Sequence, residues 1–135
     1  MKKFQIKHTK PFSLPIGKRG EMLAAEHLLK NGCEIIEKNY KCPLGEIDLI
    51  VRDENEKLIF VEVKTRRRHR YGTPEEAVDK RKCRKLVQLA QFYLKAARLE
   101  DHSGSFGVVS ITWEEAEPKI KFIRNAFSLD DLTLD

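Results

Sequence analysis

One short stretch, residues 57–64 with the sequence Lys-Leu-Ile-Phe-Val-Glu-Val-Lys, constrains the fold of this chain most strongly. Positions 59, 61 and 63 are apolar and share one face by the two-residue period of a strand, so the stretch predicts a buried strand. The opposite face begins with two apolar residues, one of them Phe60, and ends with Glu62 and Lys64. Because burying an unpaired charge is costly, this charged pair predicts a specific interaction or a function at the end of the strand.

The preceding residues predict an antiparallel partner for this strand. Residues 46–52 alternate as a second strand, with Ile47 and Leu49 on one face and Asp48 on the other. Residues 53–56, Asp-Glu-Asn-Glu, form a polar turn between the two strands. The two stretches together therefore predict a β-hairpin.

The length of the hairpin loop decides which side chains meet. A three-residue loop that pairs Asp53 with Lys57 would place Asp48 opposite Glu62. A two-residue loop would send the two acids to opposite faces. The first register keeps both apolar faces consistent. It also sets two carboxylates side by side, which is unfavourable unless a cation lies between them.

The remaining periodic segments indicate a single α/β domain. Helices are predicted over residues 17–30 and from about 79 to 98, and further strands over 34–41, 106–113 and 119–127. The order helix, three strands, helix, two strands predicts a mixed central β-sheet flanked by helices, formed by residues 17–127. Residues 1–16 are expected to be a basic flexible arm and residues 128–135 an acidic tail.

One acid of the first predicted helix has two interpretations. Glu21 lies one turn before Ala25 and two turns before Leu28, so it shares the inward stripe of the helix. It could therefore reach a site at the sheet. Alternatively, it is an acid in the first turn, where the helix dipole favours negative charge. Taken alone, the pattern favours the second interpretation.

Positive charge is concentrated in one part of the chain and predicts an anionic partner. The net charge is +5, but residues 64–85 carry ten Lys and Arg against three acids, which gives this segment +7 and leaves −2 for the rest. Cations in the first turns of a helix oppose its dipole, so a phosphate partner would explain them, and an ordinary solvated face is the equal alternative. The candidate nucleic-acid-binding residues are Arg66, Arg67, Arg68, Arg70, Lys80, Lys82, Arg84 and Lys85.

Several protein classes are disfavoured. The N-terminal residues carry charge without the apolar region of a signal peptide, and no apolar run approaches the roughly eighteen residues needed to span a bilayer. The 3 cysteines include no Cys-x-x-Cys pair, and their odd number does not suggest a disulfide framework. We therefore expect a cytoplasmic protein without membrane association.

Asp48, Glu62 and Lys64 together suit the hydrolysis of a phosphodiester. Two hard oxygen ligands with open positions for water and a substrate phosphate favour Mg²⁺ or Mn²⁺. A nearby lysine can orient a water molecule and stabilise charge on phosphorus. Glu21 could complete the coordination of the metal. Each acid, taken singly, could also belong to a surface ion pair.

Two motifs give the chain a resemblance to a known group of proteins. Residues 45–50, Gly-Glu-Ile-Asp-Leu-Ile, and residues 60–66, Phe-Val-Glu-Val-Lys-Thr-Arg, resemble the signature of the PD-(D/E)xK nuclease superfamily. More narrowly, they resemble the YraN family of predicted endonucleases, which is related in fold to archaeal Holliday-junction resolvases. The resemblance extends over most of residues 17–127.

The resemblance implies a fold and a set of site residues. The fold would be a restriction endonuclease-like core. Asp48 and Glu62 would be metal ligands, Lys64 the catalytic lysine, and Glu21 the helix acid that some members use. The leading hypothesis is a metal-dependent nuclease that acts on DNA in preference to RNA, with branched or structured DNA as a candidate substrate. Because two strands of a junction must be cut, a homodimer is implied by analogy.

One departure from the pattern supports a different function. Where the family often has Arg-Phe-Asp at the start of its fourth core strand, this chain has Ser105-Phe106-Gly107. Loss of that acid favours a non-catalytic nucleic-acid-binding module that keeps the nuclease fold. A third interpretation, a basic protein associated with RNA or the ribosome, leaves the inward acids Asp48 and Glu62 unexplained.

Overall fold

The predicted order of helices and strands is confirmed in the computed structural model, which describes residues 16–67, 80–102, 104–114 and 117–127. The helices are α1 (Ile16–Lys30) and α2 (Lys80–Ala96), and the strands are β1 (Glu34–Cys42), β2 (Gly45–Arg52), β3 (Leu58–Arg67), β4 (Gly104–Trp113) and β5 (Lys119–Phe127). The expected basic arm, apart from its last residue, and the acidic tail lie outside the described residues.

The five strands form one mixed sheet in the order β1-β2-β3-β4-β5. Neighbouring strands are antiparallel except β3 and β4, which are parallel. A parallel pair needs a long crossover, and α2 lies in the connection between these two strands. The chain is therefore an α/β protein with a mixed central sheet flanked by helices, as predicted.

Apolar side chains cover the sheet in two clusters. The cluster beneath α1, called the α1 layer below, contains Ala24, Ala25, Leu28, Cys33, Leu49, Val51, Ile59, Val61, Val109 and Ile111. The cluster beneath α2, called the α2 layer, contains Ile47, Ile50, Leu58, Phe60, Leu86, Leu89, Ala90, Tyr93 and Phe106. The two faces of β3 follow the predicted alternation, because odd-numbered residues join the first cluster and even-numbered residues the second.

The β2–β3 hairpin has the three-residue loop. The Asp53 backbone N–H donates to the Lys57 carbonyl at 2.9 Å, and Ile50 pairs with Phe60. The Asp53 side chain stabilises the turn by accepting hydrogen bonds from the backbone N–H groups of Asn55 and Lys57. This register is the one that brings Asp48 towards Glu62.

Neither described helix is long and apolar enough to cross a membrane. The three cysteines are free thiols. Burial raises the pKa of the Cys33 thiol, which keeps it in its unreactive protonated form.

Candidate active site

The sheet opens between β2 and β3 where the candidate acids lie. Pairing of the two strands runs from Arg52 opposite Leu58 to Leu49 opposite Val61. In the alternation of the ladder, Val63 carries the next backbone N–H directed at β2. That N–H donates instead to Oδ2 of Asp48, at 2.8 Å. A carboxylate thus occupies the gap where the ladder would have continued.

The orientation of Asp48 differs from the simple strand alternation. Ile47 was expected to share a face with Leu49, but Ile47 packs in the α2 layer and Leu49 in the α1 layer. The alternation of β2 is therefore broken at Asp48, the residue between them. As a result, the Asp48 carboxylate points across the gap towards β3 rather than standing on the same face as Glu62.

Burial raises the pKa of Asp48 to about 6. The hydrogen bond from the Val63 backbone opposes this shift, and the negative charges of Glu62, Glu21 and Glu46 add to it. An acid with this pKa releases its proton readily when a cation approaches. The site therefore concentrates negative charge that a metal ion or a basic group would neutralise.

Glu62 and Lys64 are an ion pair on one face of β3. Lys64 Nζ lies 3.5 Å from Glu62 Oε2, and their side chains are 22% and 20% exposed. This distance is long for a charge-assisted hydrogen bond, so the two groups form an ion pair rather than a tight hydrogen bond. The pair accounts for the charges at the end of the buried strand.

Glu21 reaches the site from the α1 side of the sheet. The preceding residue, Gly20, lies against the Thr65 side chain, and any Cβ on residue 20 would collide with it. This close approach brings the first turns of α1 onto β3. Glu21 is half-buried there and is one of the charges that raise the pKa of Asp48. The structure therefore brings all four predicted residues to one end of the sheet.

The donor set fits a metal ion that depends on substrate for part of its coordination. Within the described ranges, no three His, Cys, Asp or Glu side chains are grouped closely enough to hold a metal by themselves. Asp48 has one carboxylate oxygen engaged by Val63, which leaves the other available. Mg²⁺ is commonly held by one or two carboxylates together with water and substrate phosphate. Asp48 and Glu62 can supply that minimal set.

The predicted basic residues divide into three groups. Arg66 and Arg67 form the end of β3, with Arg66 half-buried and Arg67 exposed. Arg68 and Arg70 lie outside the described residues. The four candidates on α2 are exposed, namely Lys80, Lys82, Arg84 and Lys85.

Lys85 links the basic helix to the candidate site. A Cβ built on Gly45 would lie 3.6 Å from Lys85 Cε. Gly45 is the first residue of β2 and precedes Asp48 by three positions. Its φ of 147° is one that residues with a side chain rarely adopt. The lysine stem therefore covers the start of the strand that carries the acid.

Two exposed lysines of β5 lie in cross-strand rows with Lys64 and Arg66 and were not predicted from the sequence. In one row across the sheet, Ser110 of β4 pairs with Lys64 of β3 and with Lys121 of β5. In the next row, Thr112 of β4 pairs with Arg66 of β3 and with Lys119 of β5. Ser110 and Thr112 are 2% and 5% exposed, whereas both β5 lysines are exposed. The alternation Lys-Ile-Lys-Phe at residues 119–122 was the available signal, since it separates cations from apolar residues.

The surroundings of Gly107 leave little room for a side chain. A Cβ at this position would lie 3.0 Å from the Ile123 carbonyl oxygen, 3.1 Å from Phe122 Cε1 and 3.2 Å from Ile59 Cγ2. The β4–β5 register shifts between Phe106 and Val108, which is where the glycine lies. The departure from the family pattern therefore coincides with an irregularity of the strand pairing, close to two apolar side chains and a backbone carbonyl.

Comparison with curated proteins gives close relatives over most of the chain. A UPF0102 protein of Syntrophomonas wolfei is 46% identical over 112 residues, which cover 83% of this chain and 96% of the relative. A UPF0102 protein of Syntrophus aciditrophicus is 40% identical over 117 residues, covering 87% and 91%.

Two solved structures show weaker similarity. The structure of an EndoMS–dsDNA complex matches at a TM-score of 0.38 and 18% identity, covering 69% of this chain and 34% of the other. Pyrococcus furiosus SfsA in complex with Ca²⁺ matches at a TM-score of 0.38 and 17% identity, covering 78% and 60%.

The family comparison agrees with the resemblance found in the motifs. The model of the uncharacterised protein family UPF0102 matches residues 20–111, a segment that contains the three candidate acids and the candidate lysine together with most of α1 and all of β3 and α2. This chain belongs to the UPF0102 family.

Proposed function

We propose that the protein is a metal-dependent endonuclease that hydrolyses phosphodiester bonds of DNA. The observation that carries the proposal is the opening between β2 and β3, where the Asp48 carboxylate is held by the Val63 N–H close to the Glu62–Lys64 ion pair. A structural ion pair would explain Glu62 and Lys64, but it would not explain a third, half-buried carboxylate in the same place.

Asp48 and Glu62 would hold Mg²⁺ or Mn²⁺, with Glu21 in a supporting position. When bound, the metal would polarise the scissile phosphate and stabilise the negative charge that develops on it. Val63 fixes one oxygen of Asp48, so the carboxylate needs little reorganisation to accept a ligand. Release of the Asp48 proton near neutral pH would follow from its raised pKa.

Lys64 would orient the attacking water and stabilise the charge on phosphorus. Its ammonium lies 3.5 Å from the Glu62 carboxylate and is largely shielded from solvent. With Glu62 holding a cation, the Lys64 ammonium would be available to turn towards the phosphate. The Glu62–Lys64 pair is thus consistent with a resting arrangement of the site.

The basic residues around the site suit a phosphate backbone. Arg66 and Arg67 follow Lys64 on β3, and Lys85 approaches the start of β2 from α2. Contacts from Lys and Arg to phosphates give binding that weakens steeply with salt. This surface favours recognition of DNA shape, so branched or structured DNA is the proposed substrate.

We propose that the enzyme acts in the cytoplasm, since free thiols such as Cys42 suit a reducing compartment. For a branched substrate we propose a homodimer, because two strands must be cut. Light scattering during gel filtration, with and without four-way DNA, would measure the oligomeric state.

A non-catalytic nucleic-acid-binding module is the second candidate. Gly107 favours it, because this chain lacks the acid that the family pattern often has there. The module hypothesis predicts DNA binding that does not respond to divalent ions.

A cleavage assay separates the two functions. The protein is incubated with Mg²⁺ or Mn²⁺ and linear, flapped and four-way DNA, alongside Asp48→Asn, Glu62→Gln and Lys64→Ala. We expect salt-dependent cleavage that each substitution lowers by at least a hundredfold. Lys38→Ala, at an exposed β1 lysine, is the matched control and should retain activity. Cleavage that persists in the Asp48 and Lys64 variants would rule out this site.

Calorimetry provides the second measurement. Binding of Mn²⁺ that is lost in Asp48→Asn and Glu62→Gln supports the enzyme. DNA binding without any such metal binding supports the module.

A further inference from the structure

Asn39 adopts a backbone conformation that is unusual inside a strand. Its φ is 51°, in the left-handed region, although it lies within β1. Residues with a side chain rarely adopt this conformation, and asparagine tolerates it better than most. Such a conformation persists only where the surroundings require it.

Asn39 lies directly across the sheet from Asp48. In the β1–β2 register, Lys38 pairs with Leu49 and Tyr40 pairs with Ile47, so the intervening residues face each other. The irregular backbone of β1 is therefore at the same level as the acid of β2.

The strand alternation breaks at this level. Ile47 and Tyr40 both pack in the α2 layer, whereas Leu49, two residues from Ile47, packs in the α1 layer. Regular strands would place Ile47 and Leu49 on the same face. Between them, Asp48 is turned into the plane of the sheet and accepts the Val63 N–H at 2.8 Å.

We propose that Asn39 is a positioning residue whose left-handed backbone rotates β2 locally and directs the Asp48 carboxylate into the gap beside β3. The inference rests on the proposed function for its catalytic consequence. Its structural part, the orientation of Asp48, is independent of catalysis. Asn39 acts through Asp48 and need not touch substrate.

The test compares residues that tolerate a positive φ with one that does not. Asn39→Gly should keep the conformation, since glycine adopts it freely, and Asn39→Ala should disfavour it. Glu56 is the matched control, because it has a φ of 64° in the β2–β3 turn at the far end of the hairpin. Glu56→Ala likewise places alanine at a positive φ, at a site away from Asp48.

Hydrogen exchange of the Val63 amide provides a readout that needs no activity. We expect Asn39→Ala to raise the exchange rate at Val63 at least tenfold, relative to neighbouring β3 amides. Asn39→Gly and Glu56→Ala should leave it within about twofold. An unchanged Val63 rate in Asn39→Ala would overturn the inference. If that variant fails to fold, Asn39→Asp and Asn39→Ser, which differ in tolerance of positive φ, replace it.

Cleavage kinetics provide the second readout. Asn39→Ala should lower kcat at least tenfold with KM for DNA nearly unchanged, and Asn39→Gly should restore most of the activity. If Asp48→Asn abolishes cleavage while Asn39→Ala leaves both kcat and Val63 protection intact, the positioning role is wrong and the proposed function stands. If Asp48→Asn retains full cleavage, the proposed function fails, and Val63 exchange still decides the role of Asn39.

Discussion

At the scale of single residues, Asp48 couples the candidate chemistry to stability. Its pKa is raised from 3.8 to about 6, so the folded protein holds this proton over a pH range in which the unfolded chain has lost it. The stabilisation is complete below about pH 3.8 and is lost as the pH rises through about 6. At about 1.4 kcal/mol per pKa unit, the ionised carboxylate costs at most about 3 kcal/mol at neutral pH.

Asp48→Asn should therefore stabilise the protein at pH 7.5 in the absence of divalent ions. The amide oxygen can still accept the Val63 N–H, while the charge is removed. We expect a gain of about 1–2 kcal/mol at pH 7.5 that largely disappears at pH 4.5, measured by urea unfolding. Addition of Mg²⁺ should stabilise the parent protein and not the variant.

Asp53 provides a control of opposite sign. Hydrogen bonds from the Lys57 backbone, followed by that from Asn55 and the charge of Arg124, hold the pKa of Asp53 below its usual value. The contribution of ionised Asp53 to folding stability is present above the pKa of the unfolded chain and is lost as the pH falls through the lower pKa of the folded protein. Asp53→Asn should thus destabilise at pH 7.5. A destabilised Asp48→Asn at the same pH would contradict the electrostatic account of the site.

Gly107 gives a second prediction at this scale. The position is buried against Ile59 and Phe122, so Gly107→Asp would place a carboxylate among apolar groups. We expect a loss of about 2 kcal/mol or more in unfolding free energy and no gain in cleavage. Thermal and urea unfolding of Gly107→Ala and Gly107→Asp, each compared with the parent protein, would separate the effect of packing from the effect of charge. Higher activity in Gly107→Asp would show that the missing acid limits this protein.

At the scale of elements, the β2–β3 hairpin could be predicted from the sequence, but the broken alternation of β2 at Asp48 could not. The register followed from loop length and the two apolar faces of β3, both of which are local properties. The reversal of β2 at Asp48 depends on Asn39, whose partner in the sheet is known only once the β1–β2 register is known. Asn at a strand position was the one signal, and it is weak, because asparagine is also common in ordinary loops.

The two ends of the basic helix α2 differ in their distance from the candidate site. Lys85 approaches Gly45 near the site, whereas Lys95 lies in the last turn of α2, where a cation interacts favourably with the dipole. We expect Lys85→Ala to weaken DNA binding and to lower the slope of log K against log salt by about 0.9, the value for one phosphate contact. Lys95→Ala should leave the slope unchanged and slightly lower stability. Equal slopes in both variants would argue against a DNA contact at Lys85.

At the scale of the whole molecule, the sheet order brings together cations that are distant in sequence. Strand bounds and the mixed α/β class could be predicted from periodicity, but strand order depends on packing of the complete chain. Lys121 and Lys119 lie in cross-strand rows with Lys64 and Arg66 because β4 pairs with β3 in parallel and with β5 in antiparallel orientation. A count of charge along the chain assigned the excess to residues 64–85 and therefore overlooked β5.

The rows across β3, β4 and β5 predict that DNA extends over β5 as it leaves the site. Replacing Lys119 and Lys121 together by alanine should lower DNA affinity and reduce the salt slope by about 1–2, while the single-turnover rate at saturating protein changes less than twofold. Lys119 is 72% exposed and lies 4.0 Å from Glu114, so its removal disturbs only a surface pair of small energetic value. Lys38→Ala with Lys95→Ala removes the same charge from exposed positions of β1 and α2 and is the matched control. An equal loss of affinity in both double variants would indicate that net charge, rather than the path of DNA across β5, determines binding. A loss of single-turnover rate in the β5 variant alone would instead show that these lysines take part in the chemistry of the site.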